Sequence, residues 1–88
     1  MLVDVVEVEA LEGCRLSLRF EDGLQGEVDV AALVKLTGVF APLADQEFFR
    51  RVRVERDLGT VCWPNGADIA PEVLYDEVAK RAVTRAAK

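Results

Sequence analysis

Trp63, Asn65, Asp68 and Tyr75 fall within one stretch of the chain, "VCWPNGADIAPEVLYDEV", residues 61–78. An indole, a carboxamide, a carboxylate and a phenol this close together could form a recognition corner. The two aromatic residues would supply contact area and the two Asx side chains would orient a bound group. Catalysis here would have to run through Asp68, Cys62 and Tyr75, or through a carboxylate pair such as Asp68 with Asp76. The chain has no His, so the commonest general base is missing. It also lacks a Gly-rich phosphate loop, a nucleophile elbow and a metal-ligand cluster. Sixteen acids in 88 residues make chance carboxylate pairs common. The expectation is a protein that is not an enzyme and uses no cofactor or metal.

The same residues also have a purely structural explanation. Pro64 cannot donate a sheet hydrogen bond and so ends a strand after Trp63. Asn65-Gly66 supplies the positive torsions of a tight turn, and Pro71 suits the first turn of a helix. Trp63 would then anchor the core. Asp68 would either bond the turn backbone or stand as an exposed acid beside Trp63.

The elements that must position this corner are short. Eighty-eight residues make a single domain, 1–88, with a thin core. In "CRLSLRFEDGLQGEVDV", Cys14, Leu16, Leu18 and Phe20 alternate with polar residues, and Leu24, Gly26, Val28 and Val30 resume the alternation after a turn. A three-residue loop, Glu21-Asp22-Gly23, pairs Phe20 with Leu24, Arg15 with Asp29 and Ser17 with Glu27. "LVDVVEVE" is a strand whose phase slips, which implies a bulge near Val5-Val6. One or two helical turns are expected over residues 30–35, a break in regular structure at Gly38 and Pro42, and a short helix over 45–51 capped by Asp45. A second hairpin closes through "RDLG", setting Val54 against Val61 and Val52 against Trp63. A C-terminal helix over about 71–86 carries a stripe of Leu74, Val78 and Ala82, with acids in its first half and bases in its second. The fold class is α+β: a small antiparallel sheet built from two hairpins, a short middle helix, and the C-terminal helix packed on the sheet.

Charge narrows the partners. The formal net charge is −5, and residues 1–29 hold eight acids against two bases, so one sheet face should be acidic and suited to a basic partner. Arg50, Arg51, Arg53 and Arg56 are offset by Asp45, Glu47, Glu55 and Asp57, so direct nucleic-acid binding is not expected. Cys14 and Cys62 are too few for a disulfide scaffold or a zinc site and read as small buried hydrophobes. No apolar run approaches a membrane span and no leader pattern opens the chain, which makes the cytoplasm the expected compartment.

These segments together resemble the small bacterial and archaeal family called domain of unknown function 2442. The resemblance rests on Phe40, Pro42 and Leu43; on Glu47, Phe48 and Phe49; on Leu58, Gly59, Thr60, Val61, Trp63, Pro64, Asn65, Gly66 and Asp68; and on Pro71, Glu72, Leu74 and Tyr75. It runs from about residue 2 to residue 78. It implies an antiparallel α+β domain with no assigned activity. Some members carry a helix-turn-helix domain, which a chain ending at Lys88 would lack, and others lie beside toxin–antitoxin-like genes. One departure stands out: family members tend to carry Asp before the Pro of the last helix, where this chain has Ala70.

The expected function is a regulatory or protein-interaction module, antitoxin-like in its associations, with a protein partner or a second copy as a homodimer. The binding residues would be Trp63, Asn65, Asp68 and Tyr75, or the strand "LVDVVEVE" would add to a partner's sheet. The alternative is a structural domain with weak small-ligand binding at the Trp63–Asp68 corner.

Overall fold

Alternation of apolar and polar residues divides the first third of the chain into three strands. The computed structural model, which describes the backbone of residues 3–86 and the side-chain surroundings of residues 3–80, places them at β1 (Val5–Leu11), β2 (Arg15–Phe20) and β3 (Gln25–Asp29). They form an antiparallel sheet in the order β1-β2-β3. The β2–β3 register pairs Arg15 with Asp29 and Ser17 with Glu27, as the three-residue loop requires. Phe20 N–H donates to the Leu24 carbonyl at 2.8 Å, and Gly23 takes φ +94°. The β1–β2 register slips between Val5 and Glu7, so the bulge falls at Val6. It returns Val8 and Ala10 to the side facing Leu18 and Leu16.

The chain then leaves the sheet through α1 (Val30–Leu33), whose first turn is capped by the Asp29 carboxylate accepting from Ala31 N–H at 3.1 Å. This cap explains a detail of the ion pairs. Asp29 lies opposite Arg15 but is engaged, and Arg15 reaches diagonally to Glu27 at 3.0 Å. Residues 38–44 differ from expectation. Gly38 and Pro42 do not break the chain; Gly38–Ala44 winds as a 3₁₀ helix containing Pro42. Its carbonyls bond at i→i+3, as Phe40 N–H to Thr37 and Asp45 N–H to Pro42 show, so a proline costs the segment little. Asp45 then caps α2 (Gln46–Phe49) through Glu47 N–H at 3.0 Å.

The second hairpin, β4 (Arg53–Glu55) and β5 (Thr60–Cys62), has Val54 opposite Val61 and a four-residue loop. It forms a sheet of its own that packs beside β1. The seam is tied by Val5 N–H donating to the Gly59 carbonyl at 3.0 Å. The last element is α3 (Pro71–Ala86). Its buried Leu74 and Val78 face the sheet, and Val78 packs where β3 carries Gly26. The expected stripe residue Ala82 and the basic half beyond Lys80 lie outside the residues whose side chains are described. Among the described residues, no helix is long and apolar enough to cross a membrane.

A single core joins all of these elements: Leu16, Leu18, Phe20 and Val28 from the sheet, Leu43 and Phe49 from the middle segment, Val61 and Trp63 from β5 and its extension, and Leu74 and Val78 from α3. Cys14 does not sit in the ladder where the alternation placed it. It closes the β1–β2 loop at φ +61°, in the left-handed region, and its carbonyl accepts from Val30 N–H. Its thiol reaches the Leu43 carbonyl at 3.3 Å. Both cysteines are free, and Cys62 is buried.

Gly26 sets how closely α3 approaches the sheet. A Cβ at this position would sit 3.0 Å from Val78 Cγ1. Gly26→Val should therefore overpack the interface and cost about 1–3 kcal/mol. In urea unfolding, Val78→Ala should recover part of that loss, so the two changes should be clearly non-additive. Simple additivity would show that Gly26 does not set the α3 spacing.

Candidate functional site

The "PNG" corner is built by a local rule that the chain uses twice. In the β2–β3 loop, Phe20 and Leu24 flank Glu-Asp-Gly. After β5, Trp63 and Ala67 flank Pro-Asn-Gly, with Trp63 N–H donating to the Ala67 carbonyl at 2.9 Å and Gly66 N–H to the Trp63 carbonyl at 2.9 Å. In each loop the Asx side chain accepts from the backbone two residues on: Asp22 from Leu24 at 3.0 Å, Asn65 from Ala67 at 3.1 Å. In each, the following glycine has positive φ, as a three-residue loop requires. Asn65 itself does not take a positive φ; only Gly66 does. The chain beyond the loop returns along β5, with a bridge between Cys62 and Asp68 and the buried Thr60 hydroxyl donating to the Ile69 carbonyl.

Trp63 turns its indole into the core. Its side chain is buried at 1% exposure, its ring lies 5.7 Å from that of Phe49, and its Nε1–H donates to the Phe49 carbonyl at 3.0 Å. That bond is the second one accepted by this C-terminal carbonyl of α2, which also takes the Val52 N–H at 3.3 Å. Trp63 is thus a core residue that holds the end of β5 against α2.

Asn65 is exposed but engaged at both ends of its amide, because Nδ2 donates to the Val39 carbonyl at 2.9 Å. It fastens the corner to the 3₁₀ segment. Asp68 is exposed, and its carboxylate makes no hydrogen bond among the described residues, so it does not take over the helix cap that Ala70 lacks. At the start of α3 the Ala70 carbonyl accepts from Val73 and Leu74 N–H. Tyr75 belongs to a different contact. Its ring meets Phe20 edge-on at 5.0 Å, and its hydroxyl donates to Asp22 Oδ2 at 2.6 Å, locking α3 to the β2–β3 loop.

What remains accessible at the corner is an open groove of about 400 Å³ beside Leu58, Pro64, Asp68 and Arg53. Leu58, 54% exposed, is the residue that sequence reasoning missed. The available signal was an apolar residue in an otherwise polar hairpin loop. A second and larger groove, about 580 Å³, crosses the outer face of the first sheet between Glu7, Glu9, Ser17, Arg19 and Gln25, with Arg53 and Val54 of β4 as its wall. Glu7 is paired there with Arg19 at 2.7 Å, which holds its carboxyl below the usual range. The Cys14 thiol is pushed up, first by desolvation and then by the Asp29 charge, so it stays protonated and is a poor nucleophile.

The Tyr75–Asp22 bond has a readable pH signature. Donation from Tyr75, with the Leu24 amide, holds the Asp22 carboxyl low, and the same bond raises the Tyr75 phenol. A lowered acid stabilises the fold above its unfolded pKa, about 3.9, and loses this as pH falls through the folded value. A raised phenol stabilises below about 10 and loses this as pH rises further. The stability gap between wild type and Tyr75→Phe should be flat from about pH 5 to 9 and narrow at both extremes. Urea unfolding across that range measures it, and a gap independent of pH would mean the bond does not form.

Comparison with known proteins gives a family and no chemistry. No curated protein and no solved structure gives a significant match. The family model described as protein of unknown function (DUF2442) matches residues 5–80, from the first residue of β1 into α3. That span includes both Asx-Gly loops, the buried Trp63 and the Tyr75 latch, and the chain belongs to the DUF2442 family, whose function is unknown.

Proposed function

We propose that the chain is a non-enzymatic protein-interaction or regulatory module, an antitoxin-like accessory acting in the cytoplasm. The observation that carries this reading is the outer edge of β1. Val5 N–H is tied to Gly59, and the Leu11 carbonyl accepts from Gln46 Nε2 at 3.1 Å. Between these ties, Val6 to Ala10 makes no backbone hydrogen bond outside the β1–β2 ladder, among the described residues. An unpaired edge is a ready template for another strand. Beside it Val6 is 40% exposed, an apolar contact at the bulge. The absence of His in the sequence and the protonated Cys14 thiol support a reading without catalysis.

A second reading is favoured by the groove beside Leu58, Pro64 and Asp68: a structural domain that binds a small ligand weakly at that corner. The two readings separate in one experiment. The tagged chain is co-expressed with the product of the adjacent reading frame, as wild type, Val6→Asp and Leu58→Asp. The expected result is a stable complex weakened at least about tenfold by Val6→Asp and unaffected by Leu58→Asp, with all three proteins equally folded. No complex, or a complex indifferent to Val6→Asp, would overturn the β1 reading.

A further inference from the structure

Resting on that reading, we infer that the occupant of the β1 edge is an extended segment of a different protein, carrying Lys or Arg at alternate positions. Length, charge and shape each bear on this. The free stretch from Val6 to Ala10 is bounded at both ends by the Gly59 and Gln46 bonds. Five residues of strand span about 17 Å, so the seat takes a short strand and nothing longer. Its exposed outer positions are Glu7 and Glu9, and Asp4 and Glu12 flank them; the segment from residue 3 to residue 12 contains no base. Glu7 is neutralised by Arg19 of β2, whereas Glu9 lies opposite Ser17 and has no ion-pair partner among the described residues.

This charge pattern decides between occupants. A second copy adding its own β1 antiparallel, centred on Val8, would bring Glu7 of each copy against Glu9 of the other. Like charges directly opposite are destabilising in a sheet, and the bulge at Val6 further twists the edge away from a matching copy. A strand with a base opposite Glu9 meets the reverse situation. Its outward side chains would lie over the groove that Glu7, Glu9, Ser17, Arg19 and Gln25 line, where the Arg53–Val54 wall closes one side. Arg53 already interacts with Glu55, at 3.5 Å, which leaves the acids of β1 as the charges to be matched. The same acids that protect the edge against self-pairing thus select a basic strand.

The probe is a capped five-residue peptide, Lys-Val-Lys between terminal Thr residues, and its control has Glu in place of Lys. Both are titrated into the ¹⁵N-labelled full chain, wild type and Glu9→Lys, at low ionic strength. The expected result is that the Lys peptide shifts the amides of residues 6–10 and slows their hydrogen exchange. The Glu peptide does not bind, and Glu9→Lys weakens the Lys peptide roughly threefold or more while admitting the Glu peptide. Equal response to both peptides, or a footprint away from β1, would overturn the basic-strand seat. A footprint at Leu58–Asp68 would do so while leaving a protein-interaction role standing. Concentration-dependent shifts of residues 6–10 without any peptide would identify a second copy as the occupant and equally overturn the inference. Glu9 is exposed and unpaired, so Glu9→Lys tests charge without threatening the fold.

Discussion

The bond from the Trp63 indole to the Phe49 carbonyl is the constraint on which the rest of the structure leans. It joins the second hairpin to the end of a helix only four residues long, one too short to be stable by itself. The indole shares the Phe49 carbonyl with the Val52 N–H, and its ring packs against that of Phe49. Because α2 is fixed, Gln46 can reach Leu11, and the preceding 3₁₀ segment brings Leu43 under the β1–β2 loop, where its carbonyl accepts from the Cys14 thiol. A single buried aromatic thus sets the relation between two sheets that share no ladder.

The two Asx-Gly loops extend this frame outward, and each gives its spare polar atoms to a distant element. Asp22 receives Tyr75 of α3, and Asn65 donates to Val39 of the 3₁₀ segment. In a domain this small the core alone supplies modest stability, so such cross-links matter to how firmly the helix and the corner are held. They also explain why the residues that looked most like a binding site are mostly structural. Trp63 is consumed by the core, Asn65 by two backbone groups, and Tyr75 by the opposite hairpin. Of the four, only Asp68 presents a free functional group.

Exposed apolar and acidic groups gather instead where regular structure ends unevenly. The bulge at Val6 exposes an apolar side chain, and among the described residues Val6 to Ala10 makes no backbone hydrogen bond outside the β1–β2 ladder, with β4 packed beside it in a separate sheet. An acidic rim along that edge discourages self-association while leaving the backbone accessible. Edge protection is thereby built into one short strand.

Much of this was legible in the residues themselves. The hairpin registers followed from alternation together with loop lengths, and Gly23 marked its left-handed position. The bulge followed from a phase slip, and the cap at Asp45 from a side chain that bonds the backbone two residues away. All of these are interactions between near neighbours or between strands joined by one turn, so local chemistry suffices. The sequence also carried the family pattern. Only the tertiary structure decided that the two hairpins form separate sheets, that Gly38–Ala44 continues as a 3₁₀ helix, that Cys14 takes a left-handed torsion beneath Leu43, and that Trp63 faces inward. Each depends on partners 14 or more residues away, or on packing volume shared by several elements. No spacing rule along the chain encodes which side of an aromatic residue will meet water.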